Sequence, residues 1–195
     1  LKKNILGFDQ ITLSENKNIL SFKNLKLSKD YKIEEIEKIK FDYKDNTKRK
    51  NKLEIKQDNM NYIIIGDSFN ADKLITELLK SKKDNKKNLF NKNFNLRIDI
   101  QKVYLDQDNV INNLQGTMSL INNEITELNM ESEFLNKQNI TFSIKKNNGE
   151  KITTLFSNEA KPLVDRYKFI KGFGEGELDF YSIKKNNETK STLKI

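Results

Sequence analysis

Histidine, cysteine and tryptophan are all missing from this 195-residue chain, and proline occurs once, at Pro162. Without Cys there is no disulfide, no thiol nucleophile and no thiolate-held zinc. Without His there is no imidazole general base and no Ser-His-Asp triad. Carboxylate, Lys or Tyr chemistry and an oxygen-ligated cation are what remain, and the chain reads as not an enzyme, with no cofactor. No run approaches the roughly 20 apolar residues of a membrane-spanning helix. The sequence begins at Leu1 and stops at Ile195 inside a strand-like pattern, so it reads as a segment of a longer chain whose ends are silent on targeting.

Arginine is nearly missing as well: 3 Arg stand against 33 Lys, beside 27 Asn, 22 Ile and 2 Ala. The formal charge of +8 admits a polyanion or an anionic membrane as partner. Arg is the better bidentate phosphate reader, however, and the Lys, Asn and Ile excess matches AT-rich codons. The runs Lys48-Arg49-Lys50, Lys82-Lys83, Lys86-Lys87, Lys145-Lys146 and Lys184-Lys185 lie beside Asn-rich turns. There they keep hairpin tips soluble and discourage edge aggregation. A nucleic-acid reader would interleave aromatics among them, so no specific nucleic acid is expected as a partner.

What the chain has in quantity is alternation. Apolar residues recur at every second position in Phe41-Asp-Tyr43, Leu53-Glu-Ile55 and Tyr62-Ile-Ile64. The same period runs through Phe94 to Ile100, Leu114 to Leu120, Leu128 to Met130, Ile140 to Ile144 and Leu178 to Phe180. Period two marks half-buried strands. Asparagine pairs punctuate the runs at Asn112-Asn113, Asn122-Asn123, Asn147-Asn148 and Asn186-Asn187, and Asn tolerates the positive φ of hairpin turns. A further strand is expected from about Ile36 to Tyr43. The pattern predicts a mainly β fold: an extended, antiparallel, curved and groove-like sheet.

Two segments depart from alternation. Leu74, Ile75, Leu78 and Leu79 share a face at helical spacing, which predicts a short helix over about 70–82 with Asn70 as N-cap. Leu163, Val164 and Tyr167 predict another over about 158–169, capped by Asn158, with Pro162 tolerated in its first turn. Ala71 and Ala160, the chain's only alanines, are 89 positions apart, and each precedes its apolar pair by three. Recurrence at a fixed offset is a repeat signature. The organisation expected is a strand block over 1–90 ending in a helix and a second block with a helix over 91–195, as repeat-like units of one elongated sheet. Residues 80–93 form a polar, Lys-rich connection between them.

Other patterns read as structure. Gly172-Phe-Gly174-Glu-Gly176 follows a helix, whereas a phosphate loop precedes one. Glu127, Glu131 and Glu133 fall opposite Leu128 and Met130, as the wet side of a strand. Asp106-Gln-Asp108-Asn lacks the Gly and distal Glu of a calcium loop and reads as a turn.

Three strings resemble the AsmA-like family, in particular envelope proteins with the DUF3971/YhdP-type region. Gly66 to Leu79 (GDSFNADKLITELL) looks like that family's strand and Gly-x-Ser-Phe-Asp-Ala helix entry, with Asn70 where Asp is commoner. Val103 to Phe134 is similar to its Leu-x-Gly-x-apolar-x-apolar run between turns. Ile152 to Phe180 resembles its strand, short helix and Gly-Gly-x-Leu-x-Leu strand, although here the glycines are spaced as GEGEL. The likeness covers residues 60–195 and is weak over 1–59. It implies an inner-membrane-anchored periplasmic protein whose sheet shelters or conducts phospholipid acyl chains between inner and outer membranes, with other parts of the parent chain reaching the membrane. The candidate lipid contacts are Leu96, Ile98, Ile100, Met118, Leu120, Leu128, Met130, Ile140, Phe142, Ile144, Leu178 and Phe180. Two alternatives stand beside this one: a basic module for an anionic polymer, and a closed structural β-sandwich.

Overall fold

A computed structural model of the chain describes residues 5–59, 61–80, 93–122, 124–167, 175–186 and 188–195. Six strands come first: β1 (Leu6–Glu15), β2 (Asn18–Leu27), β3 (Ile33–Glu35), β4 (Lys38–Lys44), β5 (Lys50–Asp58) and β6 (Asn61–Asn70), then helix α1 (Asp72–Lys80). Five more follow: β7 (Phe94–Tyr104), β8 (Val110–Ile121), β9 (Glu124–Phe134), β10 (Asn139–Asn147) and β11 (Glu150–Ser157), then helix α2 (Lys161–Tyr167). The last two are β12 (Leu178–Lys185) and β13 (Glu188–Lys194).

All thirteen strands belong to one open, curled sheet, as the alternation predicts. Strands lie side by side in chain order, except that β3 pairs with the far part of β2 while β4 pairs with its near part. The strand expected from Ile36 therefore starts two residues later, at Lys38, and Ile36 itself is 2% exposed in the break between β3 and β4. Every pairing is antiparallel but one: β6 and β7 run parallel. A parallel neighbour cannot be reached by a tight turn and needs a crossover, which α1 begins.

The tight turns show why asparagine is so abundant. Asn16, Asn59, Asn122, Asn148 and Asn186 have φ of 47°, 57°, 51°, 49° and 52°, and each sits at a hairpin tip. Among L residues, Asn occupies this left-handed region at least cost. Asp106 forms the turn expected of it, its Oδ1 accepting from the amides of Asp108 and Asn109 at 2.9 Å each. Of the GFGEG string, residues through Gly174 lie outside the described set, as does the connection 81–92.

A second regularity is the spacing of the elements. β5 and β10 begin and end 89 positions apart, and so do the starts of α1 and α2. Positive φ recurs at the same offset in the pairs Asn24 and Asn113, Lys48 and Lys137, and Asn59 and Asn148. Buried Ser68 and Ser157, and buried Ala71 and Ala160, keep it too. Each alanine carbonyl accepts the first helical hydrogen bond, from Ile75 and from Val164. The N-cap position is therefore alanine, not the expected Asn70 or Asn158. Asn70 still helps from one residue earlier, its Oδ1 accepting from the Asp72 amide at 3.2 Å, whereas the Asn158 side chain turns away to donate to Glu177. Both alanines are pressed against the sheet, where a polar cap side chain has no room.

Close strand approach is enforced by glycine at Gly66, where an added Cβ would fall 2.2 Å from Leu53 Cδ2 and 2.7 Å from the Lys52 carbonyl. Overpacking of that kind costs roughly 1–3 kcal/mol. Gly66→Ala should lower unfolding free energy by about that amount in urea titration, while Gly7→Ala, with nothing within 4 Å of the new methyl, should cause no loss.

Candidate functional site

Register across the sheet assembles the candidate site. Paired residues on neighbouring strands point to the same face. Starting at Ile11, the pairings lead without a gap to Phe22, Ile39, Ile55, Ile64, Ile98, Gly116, Met130, Phe142, Leu155, Phe180 and Leu193. One rung thus crosses from β1 to β13, and apart from Gly116 every member is apolar. Adjacent strands stand about 4.8 Å apart, so the rung is about 50 Å long and perpendicular to the strands. One position over, the rung on the opposite face runs Gln10, Lys23, Lys38, Lys56, Ile63, Arg97, Thr117, Asn129, Ser143, Thr154, Tyr181 and Thr192. Only Ile63 and Tyr181 interrupt its polar character. Along these rungs the sheet has one oily face and one mainly wet face, although Ile152 and Ile183 also pair on the latter.

All twelve sequence-derived candidates lie on the oily face. Ile98, Met130, Phe142 and Phe180 are in the long rung. Leu96, Met118, Leu128 and Ile144 pair in the next one. Ile100 pairs with Leu114, Leu120 with Phe94, Ile140 with Ser132 and Ser157, and Leu178 with Ser157. Their exposure differs. Ile98, Ile100, Leu128, Ile144 and Leu178 are buried, whereas Leu96, Met118, Leu120, Met130, Ile140, Phe142 and Phe180 remain partly open. Leu178 is fully covered, because Ala160 and, from α2, Leu163 and Val164 pack on it. Ile11, Phe22, Ile39, Ile55, Ile64, Leu155 and Leu193 belong to the same rung and were not nominated from sequence. The alternation around Leu53-Glu-Ile55 and Tyr62-Ile-Ile64 is the signal that points to Ile55 and Ile64.

The face survives interruptions. Ile98 reaches Met130 through Gly116, and Val103 reaches Phe134 through Ile111. Met130 and Phe134, four apart, share a face; hence so do Ile98 and Val103, five apart. The switch occurs at Asn113, φ 54°, where the β8–β9 register shifts by one residue. This bulge keeps Val103, Ile111 and Phe134 in the apolar cluster with Ile98 and Ile100.

Both helices close the same end of this face. β6 and β11 run in the same direction, because an even number of reversals separates β7 from β11. α1 brings Ala71 and Ile75 against the cluster of Leu53, Ile100, Val103 and Phe134, and α2 covers Leu178. A single arginine ties the two helices together. Arg166 of α2 donates to Asp72 Oδ1 at 2.6 Å and Thr76 Oγ1 at 2.9 Å, both on α1, and its guanidinium lies 3.9 Å from Asp106. Burial pushes the Asp106 carboxyl up, but hydrogen bonds from Asn109 and the backbone, together with the Arg166 charge, leave it lowered overall. Arg49 lies over the Tyr104 ring at 4.8 Å and donates to the Gln107 carbonyl at the same end.

Asp45, in the turn after β4, joins that end to β6. Its carboxylate accepts from the Thr47 hydroxyl at 2.6 Å, the Asn70 amide at 2.6 Å and the Arg49 backbone at 3.1 Å. Burial pushes its carboxyl up, and these bonds outweigh burial and hold the pKa at about 2. Buried Asn51 completes the junction by accepting from the Asn70 N–H at 2.8 Å.

On the wet face, the adjacent Lys23, Lys38 and Lys56 would repel one another. Glu37 binds Lys23 at 2.5 Å, and Glu54 takes both Lys38 and Lys56 at 2.6 Å. Lys185–Glu150 repeats the arrangement at 2.8 Å, and Lys146, on the oily side of β10, binds Glu124 at 2.6 Å. These five of the 33 lysines are thus met by nearby carboxylates. Glu127 and Glu131 are exposed on it, opposite Leu128 and Met130, as the alternation predicts. Among the described residues no group of three acids is arranged to hold a metal, and no helix is long and apolar enough to cross a membrane. No family model matches the chain, nor does any curated protein or solved structure.

Two outcomes test the helix end. Asp45 has a folded pKa below its ordinary 3.8, so its contribution is present above about pH 4 and fades as pH falls toward 2. Urea midpoints should show Asp45→Asn less stable than the parent near neutrality, with the gap narrowing between about pH 5 and pH 2. Arg166→Ala should cost about 2 kcal/mol, the scale of a charged hydrogen bond, and should speed amide exchange in residues 161–167 before the strands respond.

Proposed function

We propose that this chain is a non-catalytic lipid-sheltering segment of an AsmA-like envelope protein, whose oily sheet face carries phospholipid acyl chains across the space between two membranes. The observation that carries the reading is the continuous apolar rung on a face that, among the described residues, has no second sheet over it. A closed sandwich would bury that face against another sheet, and here every strand belongs to the same sheet. The chain exposes 13958 Å², against about 9,600 Å² for a compact monomer of 22.9 kDa. Half-open apolar surface of such continuity is a mark of an interaction site.

Direction follows from geometry. The rung runs across the strands, so an acyl chain laid along it meets a new side chain about every 4.8 Å with no polar step. Contacts of that kind are non-directional and nearly equal in energy, which favours sliding over capture at one point. The half-open members Leu96, Met118, Met130, Phe142 and Phe180 would touch the lipid, and buried Ile98, Ile100, Leu128 and Ile144 would support them from beneath. Leu178 lies under α2 and is assigned to the helix seat. Phospholipid headgroups would stay off the oily face, in water.

The test is acyl-chain photocrosslinking with native mass spectrometry. With a photoreactive residue at Met118 or Phe142, phospholipid vesicles should yield a crosslinked lipid adduct, and the same probe at Thr117 or Ser143 on the wet face should not. Equal labelling of both faces, or a lipid-free protein with Met118 and Phe142 inaccessible, would overturn the reading.

A further inference from the structure

The hairpins β1–β2 and β7–β8 are built alike but differently covered. In each, one register position is skipped opposite an asparagine with positive φ, Asn24 (48°) or Asn113 (54°). The flanking pairs correspond: Phe8 with Leu25 and Ile11 with Phe22 in one, Ile100 with Leu114 and Val103 with Ile111 in the other. The outer edge of β7 is filled by parallel β6, and α1 follows directly, its Ala71 amide donating to the Tyr104 carbonyl at 2.9 Å. Leu105, two residues past Val103, is packed into the cluster that holds Ala71 and Ile75.

β1 pairs with β2 alone, and its other edge is free among the described residues. Leu13, two residues past Ile11 and hence in the place of Leu105, is 59% exposed. With Ile19, Leu20, Phe41 and Tyr43 it lines an open apolar concavity of about 390 Å³. At the other end of the same edge, Ile5 and Leu6 are 45% and 49% exposed. A long edge carrying apolar side chains and no lysine between Leu6 and Glu15 lacks the usual protection against pairing.

We propose that the β1 edge and this concavity form a docking site for a partner segment that runs as a strand parallel to β1 and continues into a short helix with an alanine-led apolar face. Its chemistry is that of residues 61–80 of this chain, which fill the equivalent place beside β7. β13 of a second copy suits the site less, because it brings a single apolar side chain, Leu193, and could fill the edge but not the concavity. The inference concerns assembly and holds whether or not the oily face carries lipid.

The experiment uses the full 195-residue chain and a synthetic peptide of residues 61–80, read by hydrogen exchange. Saturating peptide should slow exchange in Leu6–Glu15 by about tenfold or more, as strand addition does. Leu13→Asp should abolish that protection, and a peptide carrying Ala71→Glu should weaken binding by about tenfold, or 1.4 kcal/mol. Because Leu13 is largely exposed, the variant should fold; Leu13→Ser serves should the charge disturb the hairpin. Three results would overturn the proposal: no protection of β1 at millimolar peptide, protection confined to β13, or self-association without peptide that protects β1 and β13 together.

Discussion

Everything in this molecule depends on strand register. Side chains alternate with a period of two, so a slip of one residue on any strand would carry its whole apolar set to the wet face. Twelve strands must hold register together for Ile11 and Leu193 to end on the same rung. Hairpin turns fix most of the pairings locally, and asparagine fixes the turns. Where the chain inserts an extra residue, the shift is absorbed at once. Asn113 lets the β7–β8 pair change face in step, and the register shift near Leu120 restores Ile125 to the oily side. The bulges are therefore how the face stays continuous while the sheet curls.

Composition follows from this division of faces. Lysine suits a wet face made of parallel rows, because a long flexible cation can reach whichever carboxylate the neighbouring strand offers. A rigid planar cation is needed only where separate elements must be locked, and there the sequence uses arginine. Arg166 locks helix to helix, and Arg49 stacks on Tyr104. Two of the three arginines thus sit at the end that the helices close.

Much of the fold was legible because alternation and asparagine turns are both local signals. The oily face was legible in the alternating runs between Phe94 and Phe180, though not at Leu155 of β11. It was harder to read in β1 and β2, where the spacing from Phe8 to Ile11 and from Phe22 to Leu25 is three. Read without the turn at Asn24, such a spacing suggests a helical period or none. The parallel join of β6 to β7 was also hidden, since no local pattern distinguishes it from a hairpin separated by a helix. The caps misled for a physical reason: Asn70 and Asn158 are the residue type that caps helices in water, but these helices begin in contact with the sheet, where Ala71 and Ala160 fit.

The 89-residue spacing has a consequence for how such a molecule changes size. Because each strand contacts chiefly its chain neighbours, stability is a sum of local interfaces in the manner of a one-dimensional array. Duplicating one unit would add five strand widths, about 24 Å, to the rung without altering its cross-section. Length is then a property that gene duplication can tune in steps, while the chemistry of the face is inherited unchanged with every copy.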